Sequence, residues 1–366
     1  MATQTFDPAT AEAFVGRLFT AALGAADLVS VYLGDRLGLY KAFRPGRGMN
    51  TAELHRRTGI HGRYAREWLE QQAATGILTV DDVNAHPMKR RYSLPPAHAV
   101  ALTDPDSPFS IAPLARTIVG AMPVMPKILD AYRNGTGVAW SAYGMDTIEA
   151  QGDFNRPWLL GQLGNDFLPK VPDVHERLSR ARPAARVLDV ACGVGWAGIA
   201  IALAYPTVKV LGLDLDGSSI KLAKQNTAAK GVQKRVSHRR LDVAKLDTAE
   251  RFDFAILVES LHDMSQPVPV LRAIREHLTL GASLMVVDEK TAERFLAPAD
   301  DVERFLYAAS LMVCLVNSMA DRPTAATGTV IRPSTVEKYG HAAGFRHVDQ
   351  LSQIDHPFLR FYQFRP

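Results

Sequence analysis

A loop of glycines and a set of acids placed after apolar stretches carry the first chemical signal in this sequence. The run Asp189-Val-Ala-Cys-Gly193-Val-Gly195-Trp-Ala-Gly198 follows the apolar stretch Val187–Val190 and opens a helical pattern. Glycine lets a chain turn sharply and lets a ligand approach the backbone. The helix that follows offers free N–H groups at its start. The three glycines also spell G-x-G-x-x-G, the fingerprint of a dinucleotide site. Two features count against a pyrophosphate here. Asp189 stands at the strand end, in the mouth of the loop, where a carboxylate repels phosphate but suits a ligand carrying an ammonium and a sulfonium. The motif also begins near residue 187, behind a mainly helical region. A glycine-rich turn that binds nothing is the plain alternative.

Later acids continue the pattern. Asp214 ends the apolar run Val208-Lys-Val-Leu-Gly-Leu, where a carboxylate can accept both hydroxyls of a ribose. Asp216 is the nearby competitor and is expected to cap the next helix. Asp242 follows a third strand-like run. It can take an adenine amino group, with the backbone of its neighbour Val243 meeting the ring. After a fourth run comes Glu259-Ser-Leu-His262-Asp263. Histidine ionises near neutrality and suits the work of a general base; a polar residue that only shapes a pocket is the rival reading. Asp288-Glu289 ends a fifth run. One of the two could orient His262, or Glu289 could cap the following helix.

Positioning these residues takes a particular fold. Strands at 187–190, 208–213, 237–241, 254–258 and 284–288 alternate with helices at 198–204, 221–230 and 270–277. That alternation implies a parallel, doubly wound α/β sheet, whose ligands sit outside the carboxyl ends of the strands. Two more strands, 345–351 and 358–364, are joined by a short link that favours an antiparallel pair. The N-terminal part reads differently. Residues 9–43 suggest two helices. A helix at 52–58 capped by Thr51 and a helix at 64–75 follow, then a hairpin of 77–80 with 91–94, the winged-helix order. Five prolines between 105 and 126 punctuate a helical connector. In the apolar run 306–319, Leu311, Leu315 and Met319 form a stripe at helical spacing.

These residues resemble the class I S-adenosylmethionine-dependent methyltransferases over 186–366, and the two late strands fit that sheet better than a six-stranded dinucleotide fold. The order of winged helix, connector and α/β domain resembles the two-domain small-molecule O-methyltransferases, with Tyr143-Gly144 and Gly152-Asp-Phe-Asn-Arg-Pro157 in the connector. The resemblance implies a Rossmann-like seven-stranded sheet. It implies a winged-helix dimerisation domain over 1–104, a connector over 105–180 and a methyltransferase domain over 181–366. It implies S-adenosylmethionine as donor, held by Tyr143, Asp189, Gly193, Gly195, Asp214, Leu215, Asp242, Val243 and Glu259. His262 would be the base, and Phe154, Trp158, Met312 and Leu315 would line the pocket of a small-molecule acceptor. No metal and a homodimer are expected, and a nitrogen or carbon acceptor fits the same fold.

A DNA-binding regulator that senses S-adenosylmethionine is the rival of a different class. Residues 1–100 hold 12 Lys or Arg against 9 Asp or Glu, a balance of +3, too mixed for the basic stripe that phosphate neutralisation needs. A base methyltransferase is disfavoured as well, because the loop after the fourth strand lacks a stacking aromatic. The formal net charge of +4 over 366 residues is modest. Two cysteines, Cys192 and Cys314, cannot build a disulfide framework and lack zinc spacing, so a reducing, cytoplasmic setting is expected. Residues 1–19 carry acids and no long apolar core, unlike a secretory signal. The run Tyr307 to Ala320 is too short to span a bilayer, and no membrane association is expected.

Overall fold

Residues 6–366 are described by the structure, a computed structural model; the first five residues of the N-terminal stretch discussed above lie outside the described residues. The chain divides into two compact units, one running to Val119 and one spanning Gly120–Pro366.

In the first unit a single 29-residue helix, α1 (Pro8–Arg36), replaces the two expected helices. Asp7 caps it, accepting from the N–H groups of Ala9 and Thr10. Gly16 and Gly24 lie inside it without breaking it; a glycine in a helix costs only about 1 kcal/mol relative to alanine. The first glycine with a left-handed φ, Gly38, follows its end. Phe14, Leu18, Phe19 and Leu23 on α1 are each at least half exposed. By length and composition alone α1 is apolar enough to cross a membrane, which displaces 307–320 as the segment to weigh on that point. Next come α2 (Thr51–Thr58) and α3 (Gly62–Ala74). The cap of α2 is Asn50 rather than Thr51: its side chain accepts from Glu53 N–H while Glu53 accepts from Asn50 N–H, the reciprocal box that satisfies two orphan donors. Strands β1 (Thr79–Val80) and β2 (Tyr92–Ser93) pair antiparallel as the expected hairpin. Then come α4 (Pro96–Thr103) and α5 (Ala112–Ala121), within which the chain passes to the second unit.

The second unit opens with α6 (Met125–Asn134), α7 (Met145–Trp158), a π-helical stretch over Leu159–Phe167 and α8 (Pro172–Ser179). The alternating region follows: β3 (Arg186–Val190), α9 (Trp196–Ala204), β4 (Lys209–Asp214), α10 (Gly217–Ala229), β5 (Val236–Arg240), β6 (Phe252–Val258), α11 (Pro267–Glu276) and β7 (Leu278–Glu289). After these come α12 (Asp301–Ala309), α13 (Leu315–Ser318), α14 (Pro333–Ala342), β8 (His347–Gln350) and β9 (Leu359–Arg365). Seven strands form one sheet in the order β5-β4-β3-β6-β7-β9-β8. It is parallel except for the β7–β9 and β9–β8 pairs. Side chains alternate across it, as strand geometry requires. Val187, Val210 and Ile256 pack on one face, and Leu188, Val190, Leu211 and Leu257 pack on the other. Burial on both faces explains the nearly unbroken apolar runs in the sequence.

Two helix expectations in this unit are corrected. A π-helical turn over Ser310–Cys314 separates α12 from α13 and shifts the side-chain register. Leu311 is therefore exposed while Val313 and Val316 are buried, and the stripe of Leu311, Leu315 and Met319 does not form one face. Glu289 caps no helix; the cap of α12 is Asp300, which accepts from Glu303 N–H.

The motif glycines divide by environment. A Cβ on Gly198 would lie 2.9 Å from Asp189 Oδ2 and from Val210 Cγ1, whereas one on Gly193 would meet nothing within 4 Å. Gly198 therefore serves the packing of α9 on the sheet. Gly193, at φ +50, leaves open space beside the backbone. Gly198→Ala is expected to lower the unfolding free energy by about 1–3 kcal/mol through overpacking. Gly193→Ala should cost only about 1–2 kcal/mol of left-handed backbone strain. Urea melts of the two variants check both values.

Candidate active site

Four adjacent strands, β4, β3, β6 and β7, bring their carboxyl ends to one edge of the sheet, and the predicted acids collect there. Asp189 is 1% exposed, and its Oδ2 accepts from Gly198 N–H at 2.8 Å. Its carboxyl thus braces the loop against α9 and is buried, rather than standing open in the loop's mouth. Asp214 closes the other side of the loop: Oδ2 accepts from Gly193 N–H and Oδ1 from Asp216 N–H, each at 2.8 Å. Asp216 caps α10 as expected, accepting from Ser219 N–H. Burial pushes the Asp189 carboxyl up to about 7 against the pull of Gly198 N–H, with Asp214 nearby adding to the rise.

Asp242 begins a short 3-10 turn, Val243–Lys245, and accepts from Ala244 N–H at 3.0 Å. Val243 is buried against the sheet, whereas Leu215 is exposed.

A short polar contact joins the ends of β6 and β7. His262 Nδ1 and Asp288 Oδ1 are 2.6 Å apart, and His262 N–H donates to Asp288 Oδ2 at 3.3 Å. Both side chains are almost fully buried. Asp288, not Glu289, orients the ring, because the alternation of β7 turns the two side chains opposite ways. With Nδ1 held by a carboxylate, Nε2 is the nitrogen available to take a proton. Burial alone would lower the His262 pKa. The Asp288 charge outweighs that, with a further contribution from the Cys314 thiol beside the ring, and holds it well above its usual value. Burial also raises Asp263 to about 6; its Oδ2 accepts from Asn317 Nδ2 at 3.3 Å. Asn317 Oδ1 in turn accepts from Trp140 N–H, so the segment after β7 braces the histidine turn.

Glu259 has a left-handed φ of +44. Its Oε2 accepts from Gln151 Nε2 at 2.7 Å and Asn155 Nδ2 at 2.8 Å, both on α7. Sequence reasoning missed these two amides. Their i, i+4 spacing was visible, but nothing marked α7 as the helix that crosses this edge. The connector aromatics separate. Trp158 packs among Phe167, His356 and Phe361 and donates to Asn155 Oδ1, so it is a core residue rather than an open pocket wall. Tyr143 is buried and donates to Met312 O at 2.7 Å. Phe154, Met312 and Leu315 are partly exposed. His356 accepts from Leu359 N–H, a structural role at the start of β9. Among the described residues no cluster of His, Cys, Asp and Glu is arranged to hold a metal.

Residues 181–339 match the family described as "Methyltransferase domain", and residues 25–104 match the Rv2258c-like winged HTH domain. Residues 181–339 are a methyltransferase domain, and the chain has the Rossmann-like fold of methyltransferases. It is 26% identical over 193 residues to a ubiquinone biosynthesis O-methyltransferase of Pseudomonas putida, covering 52% of this chain and 76% of that protein. It is 29% identical over 133 residues to a ubiquinone/menaquinone biosynthesis C-methyltransferase of Ectopseudomonas mendocina, covering 36% of this chain and 52% of that protein. Its fold is similar to that of a putative O-methyltransferase from Nostoc punctiforme, at 18% identity and a TM-score of 0.68 over 99% of this chain and 100% of that one. It is equally similar to human N-acetylserotonin methyltransferase in complex with its donor, at 17% identity and a TM-score of 0.68 over 100% and 99% of the two chains. Solved neighbours of this fold hold S-adenosylmethionine or S-adenosylhomocysteine, and the residues at the sheet edge fit that group. Gly193 opens its backbone to a ligand, and Glu259 keeps an oxygen, Oε1, without a partner for a cationic centre.

The pKa of Asp189 makes stability depend on pH. An acid whose folded value is raised from 3.8 to about 7 keeps its proton in the folded state and loses it in the unfolded state across that window. Its contribution is full below about pH 4 and falls as pH rises through about 7, by at most about 1.4 kcal/mol per unit. Asp189→Asn retains an acceptor for Gly198 and is expected to flatten that slope in urea melts taken from pH 4 to 7.

Proposed function

We propose that this methyltransferase methylates a hydroxyl or phenol of a small-molecule acceptor, with His262 as general base. The pairing of His262 Nδ1 with Asp288 at 2.6 Å carries the reading. An oxygen acceptor must lose its proton as it attacks, and a histidine held in one tautomer by a buried acid is built to take it. S-adenosylmethionine, when bound, supplies an activated methyl group, so the chain's task is positioning and proton removal. Gly193 and Gly195 cradle the donor in this reading. Asp214 and Asp242, with the backbone of Leu215 and Val243, hold its adenosine, and Glu259 faces its cationic end. Tyr143 covers the donor, and Phe154, Met312 and Leu315 wall the acceptor's side. The names of both the O- and C-methyltransferase relatives are compatible with the fold; the His–Asp pair favours oxygen.

A regulatory role for the winged-helix unit is disfavoured by charge. On α3, Arg63 pairs with Glu67, and Arg66 pairs with Glu70, which Arg90 also meets at 2.9 Å. Arginines neutralised by their own neighbours offer little to a phosphate backbone. The exposed Phe14, Leu18, Phe19 and Leu23 of α1 instead support a homodimer, since apolar patches of that kind mark protein interfaces.

His262→Ala should lower turnover on hydroxyl acceptors by about 10²- to 10⁴-fold while the Kd for S-adenosylhomocysteine changes little; near-normal turnover would sink the base assignment. In the native enzyme the rate should rise with pH above 6.5 as His262 loses its proton. Asp288→Asn removes the charge that holds that proton, so the rise should move to lower pH and reach a lower plateau. Sedimentation velocity should give a species of two chains. Leu18→Glu combined with Phe19→Glu should convert it to one chain without loss of secondary structure by circular dichroism.

A further inference from the structure

We propose that Gln151 and Asn155 are positioning residues for the methyl donor: they fix the Glu259 carboxylate so that its free oxygen meets a cationic centre of S-adenosylmethionine. The proposal rests on the donor's identity and is independent of His262 acting as base.

Glu259 is the carboxylate at this edge that two amide side chains of one helix hold through a single oxygen. Asp189 and Asp214 are already bonded to backbone N–H groups of their own loop, and Asp288 is committed to His262. At Glu259 both donors converge on Oε2. Oε1 has no hydrogen-bond partner, and no Lys or Arg pairs with the carboxyl among the described residues. Glu259 is half-buried at the sheet edge, and its Oε1 is open to a ligand that brings a donor or a positive charge. Burial raises the Glu259 pKa, and the Asn155 and Gln151 amides oppose that rise. They therefore favour the charged form that a cation requires.

The placement of α7 links this clamp to the cofactor loop. Gln151 and Asn155 are one helical turn apart and face the same way. Gly152, between them, sits where a Cβ would collide with Val194 in the glycine loop. One turn of α7 thus touches both the loop and Glu259. Behind it, Trp158 Nε1 donates to Asn155 Oδ1 at 2.8 Å. That bond fixes the amide's orientation, so its NH₂ points at the carboxylate.

Calorimetric titration with three ligands of different charge tests the proposal. S-adenosylmethionine carries an ammonium and a sulfonium, S-adenosylhomocysteine only the ammonium, and 5′-methylthioadenosine neither. Glu259→Gln, Gln151→Ala and Asn155→Ala are expected to weaken S-adenosylmethionine tenfold or more and to leave 5′-methylthioadenosine within about twofold. A parallel loss for S-adenosylhomocysteine assigns the contact to the ammonium; its retention assigns it to the sulfonium. Asn155→Ala added to Glu259→Gln should weaken binding no further, because the amide acts through the carboxylate. If Asn155→Ala does not fold, the near-isosteric Asn155→Asp replaces it and is expected to lose at least as much. Equal losses for all three ligands, additive losses in the double variant, or unchanged S-adenosylmethionine affinity would each overturn the proposal. Failure of the wild-type chain to bind any of the three would instead count against the donor itself.

Discussion

A buried carboxylate must find a donor, and at the carboxyl edge of this sheet five acids face that demand at once. Asp189, Asp214, Glu259, Asp263 and Asp288 each end or follow a strand whose other residues are apolar, so none can stay in bulk water. Each draws a different element to it. Asp189 and Asp214 take the N–H groups of the glycine loop and of the start of α9. Asp288 takes the His262 ring and its N–H, Asp263 takes Asn317, and Glu259 takes two amides of α7. The positions of the loop, the histidine turn, α7 and the segment around α13 follow from satisfying these acids.

The same demand shapes the chemistry. Acids satisfied by backbone N–H groups brace the frame, because those donors cannot leave without unfolding the loop. The acid beside the histidine sets the tautomer of the ring and raises its proton affinity. Glu259 is held through one oxygen by two amides of α7. One residue type is thus sorted by which donor each carboxylate found. Crowding so many acids around one histidine also makes the region sensitive to pH, since every ionisation there changes the others.

Much of this was legible in the sequence. The strand runs, the glycine loop and the acids at strand ends are local patterns of period and residue type, and a parallel sheet places strand ends together whatever else the chain does. His262 stood out for its place after the fourth strand, and Asp216 as a cap follows from its neighbours alone. The reading failed where the outcome depended on partners far along the chain. The continuity of α1 through two glycines, the register shift at Ser310–Cys314 and the burial of Trp158 are settled by packing, which no window of a dozen residues contains.

The choice between Asp288 and Glu289 as partner of His262 shows the division most clearly. The sequence placed both acids at the same strand end and left them equivalent. Only the pairing of β7 between β6 and β9 decides which faces the histidine. Gln151 and Asn155 are a stronger case. Their spacing puts two amides on one helical face, but what that face meets lies more than a hundred residues away, at Glu259. Sequence determined the fold class, because it rests on local backbone chemistry and strand order. Tertiary structure decided which acid serves which role, because a carboxylate's role is set by the donor that reaches it.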